Sequence, residues 1–153
     1  AAAHPARRGH RHAGAGSRVI TVQFRMDPRH IILRNFAWSD EYNESSFSGR
    51  LHEFGEWSFE EYWLLEWALY QLAASRIDQP QLDWPIFRIF SNTLVSLGAN
   101  LDPNDGFEIV NIDRQNTHDL RERFQMVFEG YFSGEMPDQS SFDSENPLFS
   151  QLQ

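Results

Sequence analysis

The sequence predicts a single, mainly α domain of about three packed helices with at most a small β element, and an α+β fold is the alternative. Its 153 residues, 41% of them hydrophobic, suffice for one core. Three stretches combine helical spacing of apolar residues with a capping residue at the start. Only two short runs, residues 31–36 and 107–112, have the composition of strands.

The strongest helix signal begins at Ser58. Ser58 and Glu61 form the S-x-x-E capping box, and Trp57 and Tyr62 are spaced for a hydrophobic staple around it. The helix should extend to about Ser75 and form the centre of the core. Its apolar positions cover a broad face: Tyr62, Trp63, Leu65, Trp67, Leu69, Tyr70 and Leu72.

A second long helix is predicted from Asp83, with Asp83 as N-cap and Pro85 in the first turn. Gly98 is expected to end it as a left-handed cap, and Trp84 is expected in the core. A further short helix is possible within residues 41–51.

The third long helix is predicted from about Asn116 to Tyr131, with Gly130 and Gly134 marking its end. The domain should therefore span residues 26–134. The acidic, serine-rich and proline-broken segment 135–153 is expected to be a loosely docked tail.

The charge distribution divides the chain in two. Residues 1–25 contain five arginines and no acid, whereas the other 128 residues hold eight arginines, no lysine and all 22 acids, a formal charge of −14. We expect the basic leader to be disordered and to be removable without loss of the fold. We interpret it as upstream sequence that is not part of the domain. The alternatives are a nucleic-acid-binding arm and a transit-like leader. The acidic body should repel nucleic acids and anionic membranes and attract a cationic partner.

The sequence lacks the residues or motifs that several kinds of functional site and targeting segment require. The chain has no cysteine, no apolar run of membrane-spanning length and no hydrophobic secretion signal, so a cytoplasmic location is expected. His52 and Glu53 begin a zinc-helix motif, but position 56 is glutamate instead of histidine. Asp102, Asn104 and Gly106 fit a turn better than a calcium loop. We expect no catalytic residue, no metal ligand and no cofactor.

Residues 36–70 contain four of the five tryptophans together with eight carboxylates. Interleaved aromatic and acidic side chains suit a surface that binds a basic protein. A solvated rim is the alternative interpretation, and the acidic tail or the helix face carrying Glu60 and Glu66 are alternative interfaces. The candidate partner-binding residues are Trp38, Glu41, Tyr42, Glu44, Glu53 and Glu56.

From Met26 onward the chain resembles the immunity protein 41 family of bacterial polymorphic-toxin and contact-dependent inhibition systems. The resemblance covers most of residues 27–133, and its most specific part is the EYWLLEWALY stretch. The resembling segments are ILRNFAWSDEYNESSF, SGRLH from Ser48 to His52, EEYWLLEWALYQL from Glu60 to Leu72, NDGFEI and RERFQMVFEGYF.

This resemblance implies a non-enzymatic antidote that binds its cognate toxin domain in the cytosol and blocks it. The charge agrees with that expectation, because a nuclease toxin must be cationic around its cleft and an acidic protein can cover the same surface. The other classes that we consider are an acidic structural or adaptor protein and a carboxylate-dependent hydrolase.

Overall fold

The computed structural model describes residues 27–151, and this part of the chain forms six α-helices and no strand. The predicted mainly α fold is confirmed, while the basic leader lies outside the described residues. The helices are α1 (Pro28–Arg34), α2 (Phe47–Phe54), α3 (Phe59–Ala73), α4 (Asp83–Leu101), α5 (Arg114–Ser133) and α6 (Leu148–Gln151). Short 3-10 turns lie at Arg76–Asp78, Pro80–Leu82 and Gln139–Ser141.

Helix α3 begins where the sequence predicts. The Ser58 hydroxyl accepts a hydrogen bond from the backbone N–H of Glu61 at 3.3 Å, and the rings of Trp57 and Tyr62 pack 5.5 Å apart, as a staple requires. The Glu61 carboxylate, however, turns to Arg34 on α1 at 2.7 Å. Only the serine half of the capping box is therefore formed, and its glutamate joins α1 to α3.

An aromatic cluster fills the core where α2, α3 and α5 meet. Phe47, Trp57, Tyr62, Phe124 and Phe128 are all buried. Phe47 lies 4.8 Å from Trp57, and Phe124 lies 4.4 Å from Phe128, measured between ring centroids. Helix α1 packs on α3, α2 packs on α4, and both α3 and α4 pack on α5. Aromatic contacts thus connect the helices around one core.

Three tryptophans differ from the expectation of a buried position. Trp63 and Trp67 are only partly buried at the edge of the core, and Trp84 is exposed on the outer face of α4. The fully buried tryptophan is Trp57, in the loop before α3. A helix that is apolar nearly all round does not reveal from its pattern which side faces the core.

The strand predicted at residues 31–36 is wrong, because this segment belongs to α1 and its C-cap. Asp27 caps α1 by accepting from the backbone N–H of Arg29 at 3.1 Å, and Pro28 occupies the first helical position. The short helix predicted within 41–51 begins later, at Phe47.

The ends of α4 also differ from the expectation. Asp83 does not cap the helix, because its carboxylate accepts two hydrogen bonds from Arg76 at 3.1 and 3.2 Å. The helix continues through Gly98 to Leu101. Helix α5 follows its prediction more closely: Gly134, with φ +82°, is the left-handed residue that ends it.

Residues 107–112 do not form the predicted strand. Val110 donates one backbone hydrogen bond to Gly55 at 2.8 Å. The Asn111 side chain then takes the place of a strand partner, because it both donates to and accepts from the backbone of Trp57 at 2.8 Å. An asparagine side chain satisfies this backbone without a ladder of strand hydrogen bonds.

The segment after Gly134 is attached more firmly than its composition indicates. Asn146 is buried, and its side chain donates to the carbonyl of Trp63 at 2.9 Å and to the carboxylate of Glu66 at 3.0 Å. The Tyr70 hydroxyl donates to the Pro137 carbonyl at 2.6 Å. These contacts join the C-terminal segment to α3.

Candidate protein-interaction surface

Exposed aromatic side chains gather where the loop after α1 meets the start of α4. Trp38 is 71% exposed, Trp84 53% and Phe87 46%. Arg88 lies between the two tryptophans, and we call these four residues the aromatic patch. Large apolar side chains clustered on a surface are typical of binding sites.

Cation–π contacts order the aromatic patch. The Arg88 guanidinium lies 5.0 Å from the ring centroid of Trp38 and 5.7 Å from that of Trp84, and Trp84 stacks on Phe87 at 6.0 Å. One arginine therefore holds together indoles from two separate elements. Side chains ordered before binding lose less conformational entropy when a partner arrives.

The helical repeat extends the aromatic patch along α4. Val95 is exposed and lies on the same side of the helix as Trp84 and Phe87, whereas Pro85 and Ile86 are buried on the other side. Sequence reasoning missed Trp84, Phe87 and Arg88 as site residues. The available signal was the presence of apolar residues on both sides of one helix, since a helix that only covers a core has a polar outer face.

A small cleft of about 30 Å³ adjoins the aromatic patch, lined in part by Trp38, Ser48, His52 and Arg88. Ser48 is buried, and within residues 27–151 its hydroxyl has no hydrogen-bond partner. His52 is exposed, and partial burial of its imidazole lowers its pKa while nearby Glu53 opposes this shift. The cleft therefore places the Ser48 hydroxyl and the His52 imidazole beside the Arg88 guanidinium and has room for one small polar group.

Three of the predicted partner-binding residues form an acidic rim, which we define as Tyr42, Glu44 and Glu53. Glu44 and Glu53 are exposed. Partial burial, followed by the charges of Glu53 and Glu44, raises the pKa of Tyr42 above its ordinary value. The phenol is thus neutral and lies within the field of both carboxylates. Trp38, in the loop before Tyr42, belongs to the aromatic patch.

The two remaining predicted residues already have intramolecular partners. Glu41 has a carboxylate oxygen 2.9 Å from Nδ1 of His30, and Glu56 lies 3.6 Å from Arg50. Both glutamates are near the surface, but unlike Glu44 and Glu53 each is engaged by a side chain of the same molecule.

A close backbone contact positions the acidic rim. A Cβ atom at Gly49 of α2 would lie 2.5 Å from the Glu44 carbonyl oxygen, so glycine alone lets the loop approach the helix. The Asn35 amide reinforces the arrangement by donating to the Ile31 carbonyl and accepting from the Ser48 backbone N–H. Both contacts hold the first turn of α2, through the Glu44 backbone and through Asn35 at the end of α1.

The helix face proposed as an alternative interface is not available as a whole. Glu60 is exposed, but Glu66 is fully buried and paired with Arg123 at 2.8 Å. The acidic face of α3 is therefore restricted to its first turn.

Comparisons of the chain with protein-family models, curated proteins and solved structures find no match. Among residues 27–151, no cluster of three or more histidine, aspartate and glutamate side chains could hold a metal ion. No helix in this range is long and apolar enough to cross a bilayer.

Proposed function

We propose that this protein is an immunity protein that binds and neutralises a cognate bacterial toxin domain in the cytosol. The ordered, exposed stack of Trp38, Arg88 and Trp84 is the observation that supports a binding role most directly. The resemblance to the immunity protein 41 family supplies the class of partner.

The electrostatics favour a basic toxin, with a nuclease as the best-matched class. All 22 acids lie within the described residues, and four of the eight arginines there, Arg34, Arg50, Arg76 and Arg123, are already paired with carboxylates. A partner with a cationic cleft would therefore associate rapidly and in a salt-dependent manner.

The proposed mode of inhibition is coverage of the toxin's active site or substrate surface. Tryptophan and arginine are the residues most often found to dominate binding energy, and charged rims act mainly on encounter. The aromatic patch would thus supply affinity, while Glu44 and Glu53 would supply orientation and association rate. No catalytic step by this protein is required.

The experiment measures binding kinetics and toxin inhibition with the toxin domain encoded beside this gene. Trp38→Ala and Trp84→Ala should each weaken binding by about 2 kcal/mol or more, mainly through faster dissociation. Val110→Ala is the control, because Val110 is 69% exposed, close to the value for Trp38, and lies outside the aromatic patch. It should leave both rates unchanged.

Charge-reversal variants distinguish the contribution of the acidic rim to the association rate from the contribution of the aromatic patch to dissociation. The double variant Glu44→Arg, Glu53→Arg should slow association and flatten its salt dependence, whereas Glu129→Arg, Glu135→Arg changes the net charge equally away from the rim. Equal effects of the two double variants would indicate a general charge effect and move the interface elsewhere. Absence of binding by the wild-type protein, with the toxin still active, would contradict the immunity function and favour a structural or adaptor role.

A further inference from the structure

A second groove, which shares no residue with the aromatic patch or the acidic rim, lies between α3, α5 and the C-terminal segment. Its volume is about 290 Å³. The apolar floor comprises Phe59, Trp63, Met126 and Phe142, of which Phe59 and Met126 are exposed. We call it the C-terminal groove.

Contacts within the protein already order the floor of the C-terminal groove before any ligand binds. The Arg123 guanidinium lies 4.7 Å from the Trp63 ring centroid and 4.1 Å from that of Phe142. Its Nε and Nη2 donate to the buried carboxylate of Glu66, and its Nη1 donates to the Ser144 carbonyl. The charge of Arg123 is therefore satisfied internally, and the wall made by the C-terminal segment is held in place.

The rim of the groove is acidic and uncompensated. Glu122 and Asp143 are exposed, line the groove, and form no ion pair within the described part of the chain. Asp119, also at the rim, accepts one hydrogen bond from the neutral side chain of Gln115 at 3.2 Å. Because Arg123 is neutralised by Glu66, none of the described residues that line the groove supplies a free cation to balance these carboxylates.

We propose that the C-terminal groove binds a short peptide segment that carries arginine or lysine next to apolar residues. The apolar floor suits the aliphatic stems of such side chains, and the rim carboxylates suit their charged ends. The volume lies at the lower limit of ligand pockets and therefore suits one or two side chains. This site is independent of the proposed toxin interface.

Methionine methyl groups give a direct test. Met126 lines the groove, whereas Met136 packs against the core and is not a groove residue, so it serves as an internal control. Protein labelled with ¹³C at methionine methyls is titrated with an amidated Leu/Arg peptide and with its Leu/Glu counterpart. We expect the Arg peptide to shift the Met126 resonance saturably, without shifting Met136, and the Glu peptide to shift neither.

Neutral substitutions of the rim carboxylates test whether their charge contributes to binding of the Arg peptide. Glu122→Gln with Asp143→Asn should weaken binding of the Arg peptide by about 3- to 10-fold, because each exposed charge contact is modest. Glu129→Gln with Glu135→Gln removes the same net charge outside the groove and should change the dissociation constant less than twofold. Thermal melts confirm that both variants fold.

Three outcomes would overturn the proposal. The Met126 resonance could fail to respond to the Arg peptide, it could respond equally to the Glu peptide, or both double variants could weaken binding to the same extent. The last result would indicate attraction to the overall negative charge instead of recognition in the groove.

Discussion

The substitution Glu66→Gln tests the buried cluster that joins the C-terminal segment to the core. The Glu66 carboxylate accepts five hydrogen bonds: two from Arg123 at 2.8 and 3.0 Å, and one each from Tyr62, Gln139 and Asn146 at 3.0–3.2 Å. Glutamine has nearly the same size but no charge, and its NH₂ group would face other donors. The substitution therefore removes the electrostatic centre of the cluster and changes its volume little.

The expected cost is large because Arg123 remains buried. Its side chain is 9% exposed and would lose its counter-ion, and breaking one side of a buried ion pair costs about 3–5 kcal/mol in free energy of unfolding. For a domain of this length, the melting temperature should fall by roughly 10 °C.

The matched control is Glu56→Gln, the same substitution in an exposed ion pair. Glu56 and Arg50 are 3.6 Å apart, with side chains 41% and 38% exposed, so this change should cost less than about 1 kcal/mol. The double variant Glu66→Leu, Arg123→Met should be more stable than Glu66→Gln, because it leaves no unpaired charge in the core.

Urea unfolding followed by far-UV circular dichroism measures all three variants. Limited proteolysis adds a local readout, since Glu66→Gln should also expose the C-terminal segment to cleavage. If Glu66→Gln and Glu56→Gln were equally stable, the cluster would contribute nothing, and the physical account of the docked C-terminal segment would be incorrect.

Three further predictions concern other parts of the molecule. Trp57→Ala should cost about 3–5 kcal/mol in a urea melt, since Trp57 is fully buried, whereas Trp84→Ala should cost less than about 1 kcal/mol; equal costs would contradict the assignment of core and surface. Gly49→Ala should cost about 1–3 kcal/mol in the same assay, because the new methyl group would meet the Glu44 backbone, and a neutral result would show that the loop can withdraw. Burial raises the pKa of Tyr70 from 10.0 to about 12, so its phenol ionises at a lower pH in the unfolded chain than in the folded protein. The free energy of unfolding should therefore fall as pH rises from 10 to 12. Tyr70→Phe should make this fall less steep, and an unchanged dependence on pH would refute the effect.

Local signals in the sequence identify much of the helical framework. Ser58 as cap of α3, the Trp57–Tyr62 staple and Gly134 at the end of α5 were all predicted correctly. Each of these features depends on residues at most five positions apart, where backbone geometry restricts the possible partners. The mainly α class follows from such signals.

Competing partners explain where local reasoning failed. Asp83 has the type and position of an N-cap, but its carboxylate binds Arg76. Residues 107–112 have the composition of a strand, yet the Asn111 side chain satisfies the backbone that a neighbouring strand would have paired. In both cases a side chain offered an alternative hydrogen bond that composition does not reveal.

The candidate site was likewise predictable from the sequence only in part. Composition pointed to Trp38 and the carboxylates around Tyr42, because aromatic and acidic residues are concentrated there. Helix packing was needed to bring Arg88 and Trp84 to Trp38 and to bury Glu66 against Arg123. These pairs are about 50 positions apart in the chain, and which face of each helix meets the core depends on all the helices together. Short-range hydrogen-bond geometry thus specifies the helices, whereas long-range packing decides which tryptophans and charges remain at the surface.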